Sequence, residues 1–248
     1  MIFGEKMDAI VIESLTKRYR DVTAVDDLSL RIREGELFSL LGINGAGKTT
    51  TVKMLSCLTE PSEGNAYIFG KSIRKDTAEV RSLIALSPQE NAVAQRLSVR
   101  ENLELICGAY GFSKNKTKLK IEELAGLLGL GSVIDRKAGK LSGGWQRRLS
   151  IAMALISEPK ILFLDEPTLG LDVIARSELW GLIRSLSGSV TIILTTHYME
   201  EAEALSDRVA IMRDGKLLIC DTVEKIKETA GMDNFEQAFV RIVKEKKL

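Results

Sequence analysis

Cysteine and histidine are scarce in this chain, and their scarcity excludes several kinds of site. The three cysteines, Cys57, Cys107 and Cys220, are an odd number and lie far apart, without any C-x-x-C pair. Such spacing implies neither a disulfide framework nor a structural zinc site, and it fits a reducing cytoplasm. His197 is the only histidine, so a centre built from several histidines is impossible.

An excess of basic charge is also missing. The chain has 35 Lys and Arg residues against 34 Asp and Glu residues, which gives a net charge of +1. Domains that bind nucleic acid usually carry a marked basic excess. We therefore expect no nucleic-acid partner for this protein.

Long apolar runs are absent as well. The longest run, at 151–156, is far shorter than the roughly 20 residues that a membrane-spanning helix needs. The first residues lack the basic start and apolar stretch of a secretion signal, and either Met1 or Met7 is a possible start. If the protein works at a membrane, we expect another chain to span it.

The sequence does contain an alternation of strand-like and helix-like segments. Short strands are predicted within the first 35 residues and at 37–42, 82–86, 160–167 and 190–197. A helix is predicted at 48–58, and Asp214-Gly215 predicts a hairpin. Strands that alternate with helices are typical of an α/β fold with a parallel sheet.

Residues 88–158 differ in texture from their surroundings, because their apolar residues recur about every 3.6 positions, as in helices. We predict a helical lobe at 88–158 that is inserted into an α/β core formed by 1–87 and 159–220. Residues 221–248 are predicted to form a helical, charged tail.

The segment at 42–50, GINGAGKTT, predicts a loop that holds phosphate, and we call it the phosphate cradle. Its glycines let backbone N–H groups point at phosphate oxygens, and the following helix adds partial positive charge. In the G-x-x-x-x-G-K-[ST] pattern, Lys48 reaches the β- and γ-phosphates and the Thr49 hydroxyl binds Mg²⁺. The alternative is an ordinary glycine-rich turn. The candidate binding residues are Gly42, Ile43, Asn44, Gly45, Ala46, Gly47, Lys48, Thr49 and Thr50.

Polar residues at the ends of apolar strands form a second candidate group. Asp165 would hold Mg²⁺ and Glu166 would act as a general base toward water, unless the two only cap the next helix. His197 would sense the γ-phosphate, although a strand-end histidine is often structural. Gln89 would reach Mg²⁺ or the attacking water.

A second phosphate-facing loop precedes a predicted helix at Ser142, Gly143 and Gly144, with Ser142 as the expected N-cap. We call residues 142–144 the signature loop. A helix N-terminus with N–H donors and a hydroxyl is an anion site. The phosphate cradle alone is complete for one triphosphate, so the purpose of this second loop needs an explanation.

Taken together, these motifs resemble the ATP-binding subunits of ABC transporters over roughly residues 10–220. The phosphate cradle is similar to Walker A, ILFLDE to Walker B, Gln89 to the Q-loop and LSGGW to the family signature. LGLD, with Asp172, resembles the D-loop, His197 the switch histidine, and Tyr19 the aromatic that stacks on adenine. Trp145 and Leu169 stand where the family commonly has Gln and Ser.

The resemblance implies a P-loop, RecA-like core with an N-terminal antiparallel β-subdomain and a helical lobe. It implies ATP and Mg²⁺ as cofactors and a head-to-tail dimer, of two copies or with a paralogous subunit, in which the signature loop faces the other copy's nucleotide. It also implies a separate membrane subunit, a cytoplasmic location on the inner face of the membrane, and an exporter. No N-K-x-D motif is present, which favours ATP over GTP.

Two other functions remain open at this point. One is a soluble ATPase of the same family that acts in DNA repair or translation, although the balanced charge disfavours it. The other is a scaffold gated by ATP without hydrolysis, against which the intact Glu166 and His197 argue.

Overall fold

Two sheets organise the chain, whose residues 7–90 and 92–245 are described by a computed structural model. The strands are β1 Asp8–Tyr19, β2 Val22–Arg33, β3 Leu37–Leu41, β4 Glu63–Ile68, β5 Lys71–Ser72, β6 Ile84–Ser87, β7 Ile161–Asp165, β8 Thr191–Thr196, β9 Arg208–Arg213 and β10 Lys216–Asp221. The helices are α1 Lys48–Leu55, α2 Thr77–Leu83, α3 Val99–Ala109, α4 Lys114–Leu127, α5 Gly143–Leu155, α6 Val173–Leu186, α7 Met199–Leu205, α8 Val223–Ala230 and α9 Phe235–Glu245. In these described ranges, none of the helices has the length and apolar character to cross a bilayer.

The N-terminal sheet is antiparallel, in the order β2-β1-β4-β5. Ile10 of β1 pairs with Ile32 on one side and Ile68 on the other, and all three side chains are buried. The predicted short strands are in fact two strands of twelve residues each. They stay paired over that length because several register shifts absorb the irregular apolar pattern.

The second sheet has the order β10-β9-β3-β8-β7-β6, and its strands from β9 to β6 are parallel. Every residue of β3, β7 and β8 is buried, as expected for parallel strands covered on both faces. Leu41 pairs with Thr196, and Asp165 pairs with Thr195, so these strands end at one edge. The residues that follow them therefore meet at this edge, where ligands bind in open α/β sheets.

Helices α3, α4 and α5 lie between β6 and β7 in the chain and pack on one another through Leu103, Ile121 and Leu149. The same apolar cluster continues into the parallel sheet through Leu164 and Ile192. The predicted fold class, an α/β P-loop core with an antiparallel subdomain and an inserted helical segment, is confirmed.

Two predicted element bounds were wrong. The helix expected at 48–58 ends at Leu55, because Cys57 takes a left-handed φ of 56° and Leu58 remains 62% exposed. The strand expected at 82–86 begins only at Ile84, since the preceding residues end α2. The apolar run in this region spans the junction between the helix and the strand.

The C-terminal helices α8 and α9 form a third apolar cluster with the sheet. Ile226, Phe235 and Phe239 pack with Val209 and Ile211 of β9. The predicted helical tail is thus joined to the core by a buried apolar face and carries its charges on the other side.

Candidate functional site

The phosphate cradle connects the end of β3 to α1. Gly47 occupies the N-cap of α1 with a φ of 101°, and a Cβ there would lie 2.5 Å from the carbonyl oxygen of Ala24. A Cβ on Gly42 would lie 2.4 Å from the carbonyl oxygen of Met212. Only glycine avoids these backbone clashes, so the cradle keeps its shape because its neighbours are backbone atoms that cannot yield.

An open cleft of about 750 Å³ lies against the cradle, and we call it the cradle cleft. It brings together cradle residues with Gln89, Glu166 and His197, which come from three different strand ends. Its lining residues are Val22, Thr23, Ala24, Asn44, Gly45, Ala46, Gly47, Lys48, Thr49, Thr50, Gln89, Glu166, Leu169, His197 and Asp214.

Lys48 is buried, yet its ammonium group faces the cradle and a carboxylate. Nζ donates to the carbonyl oxygen of Gly42 at 2.7 Å and to that of Ile43 at 3.4 Å. It also lies 3.3 Å from Glu166 Oε1. The cation is therefore held by groups that an incoming anion can replace, which suits a phosphate-binding lysine.

Asp165 and Thr49 meet at the bottom of the site. Asp165 Oδ1 accepts hydrogen bonds from Thr49 Oγ1 at 3.1 Å and from Thr195 Oγ1 at 2.5 Å. Between 7 and 90 and between 92 and 245, no group of three or more His, Cys, Asp and Glu is placed to hold a metal. The hydroxyl and carboxylate nevertheless fit Mg²⁺, because that ion usually takes one or two carboxylates together with phosphate oxygens.

Glu166 is almost fully buried, and both its side chain and its backbone are held. Oε2 lies 2.8 Å from His197 Nδ1, which donates to the carboxylate when it carries the proton. The Glu166 N–H donates to Thr195 Oγ1 at 2.9 Å. Its φ of 47° is strained for a residue with a side chain. Fixed backbone contacts therefore aim this carboxylate into the cleft.

The signature loop lies outside the cradle cleft of its own chain. Ser142 takes the N-cap position of α5 as predicted, but within the described residues its side chain makes no capping hydrogen bond. Ser142 and Gly143 are exposed. Cβ atoms on Gly143 and Gly144 would lie 3.3 Å from Leu171 and 3.2 Å from Ala175, so α5 and α6 approach closely here.

Asp172 and Tyr19 are also outside the described lining of the cleft. Asp172 caps α6 by accepting a hydrogen bond from the Ala175 N–H at 2.9 Å. Tyr19 is 44% exposed, and the Lys17 ammonium lies 4.9 Å from the centre of its ring. The neighbouring residues Val22 to Ala24 line the cleft in its place.

Sequence reasoning missed Asp214 as a lining residue. The hairpin it predicted is present, with a left-handed φ at both Asp214 and Gly215. The sequence did not predict that this hairpin turn lies beside the cradle. The Gly215 N–H donates to the Ala46 carbonyl oxygen at 3.2 Å, which joins the turn to the cradle. The order of the sheet, with β9 beside β3, brings the two loops together.

Comparisons with known proteins point to one family. Residues 25–169 match the family model described as ABC transporter. A daunorubicin resistance ATP-binding protein, DrrA2 of Streptomyces coeruleorubidus, is 39% identical over 92% of this chain and 71% of its own length. The doxorubicin resistance ATP-binding protein DrrA of Mycobacterium tuberculosis is 39% identical over 96% of this chain and 72% of its length.

Other similar proteins are much longer or are known as structures. The human phospholipid-transporting ATPase ABCA3 is 41% identical over 90% of this chain, which spans only 13% of that relative. An ATP-binding subunit of an ABC transporter superposes with a TM-score of 0.82 at 26% identity, covering 95% of this chain and all of that one. A dimeric ATP-binding cassette bound to ADP and Pi superposes with a TM-score of 0.77 at 28% identity, covering 86% and 98%.

The family model covers more than half of the chain, and relatives above 30% identity are matched over more than two thirds of their length. The chain belongs to the ABC transporter family, and it is an ATP-binding subunit of that family that hydrolyses ATP.

Proposed function

We propose that this chain powers an exporter by closing, together with a second copy or a paralogous subunit, around two ATP molecules. The observation that carries the proposal is a separation within one chain. The cradle cleft holds Lys48, Glu166 and His197, whereas Ser142 and Gly143 are exposed elsewhere. A second chain placed head to tail would bring a signature loop to each cradle and give two equal sites.

In the proposed site the cradle residues 42–50 bind the phosphates through backbone N–H groups, and Lys48 binds the β- and γ-phosphates. Thr49, Asp165 and Gln89 hold Mg²⁺. When bound, the metal neutralises charge that develops on the phosphate oxygens. Tyr19 stacks on the adenine after a change in the direction of its ring, and Asp172 contacts the partner beside the shared nucleotide.

Glu166 is the proposed general base for hydrolysis. Its carboxylate accepts a proton from the attacking water through Oε1. The other carboxylate oxygen, Oε2, lies 2.8 Å from His197 Nδ1. Lys48 releases Glu166 when it turns to the γ-phosphate, which frees Oε1 to accept the proton of water.

Exposed apolar side chains support the dimer. Ile43 of the cradle is 48% exposed, Leu169 is 39% exposed, and Val173 and Ile174 at the start of α6 are 77% and 73% exposed. These residues border the cleft or follow Asp172 directly. Covering such side chains removes apolar surface from water, which favours association.

We infer that a separate membrane subunit binds the groove between the core and the helical lobe at 88–158. This groove of about 410 Å³ includes Leu58 and Tyr110, which are 62% and 57% exposed, and Pro88, the neighbour of Gln89. A segment of the partner with an apolar face would fit it and would sense movement of Gln89. The protein would then lie on the cytoplasmic, inner face of the membrane. In this proposal the ATP-binding core consists of 1–87 and 159–220, and the C-terminal tail of 221–248.

The cargo of related proteins suggests the kind of substrate. The relatives are named for resistance to daunorubicin and doxorubicin and for phospholipid transport. The compounds in these names are all amphipathic, largely apolar molecules that partition into membranes. We propose export of a substrate of this class.

The dimer is tested by size-exclusion chromatography with light scattering. Glu166→Gln, which slows hydrolysis, should elute as a monomer alone and as a dimer with Mg²⁺ and ATP. Adding Ser142→Arg should abolish the dimer without weakening ATP binding. Ser189→Arg is the matched control, because Ser189 is exposed before β8, at the sheet edge opposite His197. A dimer that persists with Ser142→Arg would refute the proposed arrangement.

A further inference from the structure

Arg147 of α5 is a buried cation with an unusual set of partners. The residue is only 3% exposed. Nη1 donates to the Pro88 carbonyl oxygen at 2.5 Å, and Nη2 donates to the carbonyl oxygens of Gln89 at 2.8 Å and Glu166 at 3.2 Å. One guanidinium thus joins the backbones of the two segments that carry the amide and the carboxylate of the cleft.

These hydrogen bonds fix main-chain atoms close to reacting groups. The Glu166 carbonyl oxygen also accepts from the Leu169 N–H at 3.2 Å, and the Glu166 N–H is held by Thr195. A strained φ persists only where the surroundings over-determine it, and Arg147 is one of those surroundings. Hydrogen bonds from a charged donor are about twice as strong as neutral ones, which suits this role.

Burial of the guanidinium needs compensation. Burial lowers the pKa of Arg147, while the charges of Asp165 and Glu201 raise it. The carbonyl dipoles of Pro88, Gln89 and Glu166 also stabilise the buried positive charge. An apolar side chain of similar length would fill much of the same space but would leave these three carbonyl oxygens without this donor, so replacing Arg147 by Met removes hydrogen bonds more than volume.

We propose that Arg147 is a positioning residue that ties the hydrolytic geometry of Glu166 and Gln89 to the signature helix α5. The inference rests on the proposed roles of Glu166 and the signature loop. Arg147 lies about one helical turn after Gly143 on α5, which begins directly after Ser142. A helix moves as a rigid element, so engagement of the signature loop by the other copy's nucleotide shifts the guanidinium. The shift is passed to the Gln89 and Glu166 backbones of its own site.

The neighbouring Arg148 offers a matched control. It lies on the same helix, but its Nη2 donates to Glu178 Oε2 at 2.5 Å and its guanidinium covers the Trp145 ring at 4.7 Å. Neither partner lines the cradle cleft. Removing this arginine should therefore leave hydrolysis unaffected.

The test compares Arg147→Met, Arg147→Lys and Arg148→Met by steady-state ATP hydrolysis, with ATP affinity and melting temperature measured on the same samples. Arg147→Met should lower kcat at least tenfold, while KM and the ATP dissociation constant stay within threefold of the parent. Arg147→Lys should have an intermediate kcat, since an ammonium reaches fewer carbonyl oxygens than a guanidinium. Arg148→Met should keep kcat within twofold.

Hydrogen exchange in the Glu166→Gln background separates positioning from a general loss of structure. With Mg²⁺ and ATP, peptides covering 83–90 and 165–170 should be protected in Glu166→Gln. Adding Arg147→Met should remove that protection but preserve protection at 142–146.

Several results would overturn the inference. Parent-like kcat in Arg147→Met would do so, as would equal losses in Arg147→Met and Arg148→Met. If Arg147→Met does not fold, the test depends on Arg147→Lys. A parent-like kcat in that variant would then refute the inference. Failure of the proposed function is a separate outcome: Glu166→Gln would then hydrolyse ATP at the parent rate, or its dimer would persist with Ser142→Arg, whichever residue stands at position 147.

Discussion

Replacement of Glu166 by Gln removes one charge and leaves the shape of the side chain unchanged. In the structure the lost carboxylate lies 3.3 Å from Lys48 Nζ and 2.8 Å from His197 Nδ1. The amide cannot accept a proton from water as the carboxylate does. It also no longer competes with phosphate for Lys48. Hydrolysis should therefore fail while ATP binding remains as tight or becomes tighter.

The size of the effect follows from the role of a general base. Such a group contributes about 10²–10⁴ in rate. This range corresponds to about 2.7–5.5 kcal/mol of transition-state stabilisation. We expect kcat to fall within this range. Because the buried Glu166 belongs to a site with ordered neighbours, a smaller loss would mean that another group takes the proton.

Phosphate release under saturating Mg²⁺ and ATP measures kcat, and titration with a fluorescent ATP analogue measures affinity. Glu203→Gln is the control, because Glu203 is an exposed residue of α7 outside the cradle cleft. Its Oε1 lies 3.9 Å from Nζ of Lys227 in α8. It should hydrolyse ATP at the parent rate. Hydrolysis by Glu166→Gln at the parent rate would refute the assignment of Glu166 as base.

Three further predictions rest on other parts of the chain. Lys48→Ala should weaken ATP binding by at least about 1.5 kcal/mol, the lower end for a hydrogen bond to a charged group, and ATP titration measures it; unchanged affinity would exclude this role. Ile174→Lys should prevent the ATP-dependent dimer seen by light scattering without changing monomer ATP affinity, because it places a charge on an apolar contact; a normal dimer would contradict this. Burial raises the pKa of Glu201, which accepts hydrogen bonds from Thr168 and Trp180, so the folded state binds its proton more tightly than the unfolded state. Stability from this group is fully present below the ordinary glutamate pKa and is lost as pH rises from there through the raised pKa. Glu201→Gln should therefore shrink the fall in melting temperature between about pH 4 and about pH 8, and an unchanged fall would oppose the idea.

The parts of the site that sequence predicts well are those set by local pattern. The phosphate cradle follows from its glycines, its lysine and its place between a strand and a helix. Asp165 and His197 are predicted site residues because each is a polar residue at the end of an apolar strand. Asp165 pairs with Thr195, and Leu41 pairs with Thr196, the residue before His197, so the two side chains lie at one edge of the sheet.

Other parts depend on contacts that no local pattern contains. Arg147 was visible in the sequence, but its three carbonyl partners are 19 to 59 residues away. Asp214 was predicted to turn the chain, and only the strand order places that turn on the cradle. The exposure of Leu58 follows from the left-handed Cys57, which ends the helix early.

The trans arrangement of the signature loop is the central claim, and a single distance tests it. In a crystal structure of Glu166→Gln with ATP, Ser142 Oγ should lie within about 3 Å of a γ-phosphate oxygen. That nucleotide should be bound by Lys48 of the other copy. A structure in which Ser142 is far from every nucleotide, or contacts only the one in its own cradle, would contradict the claim.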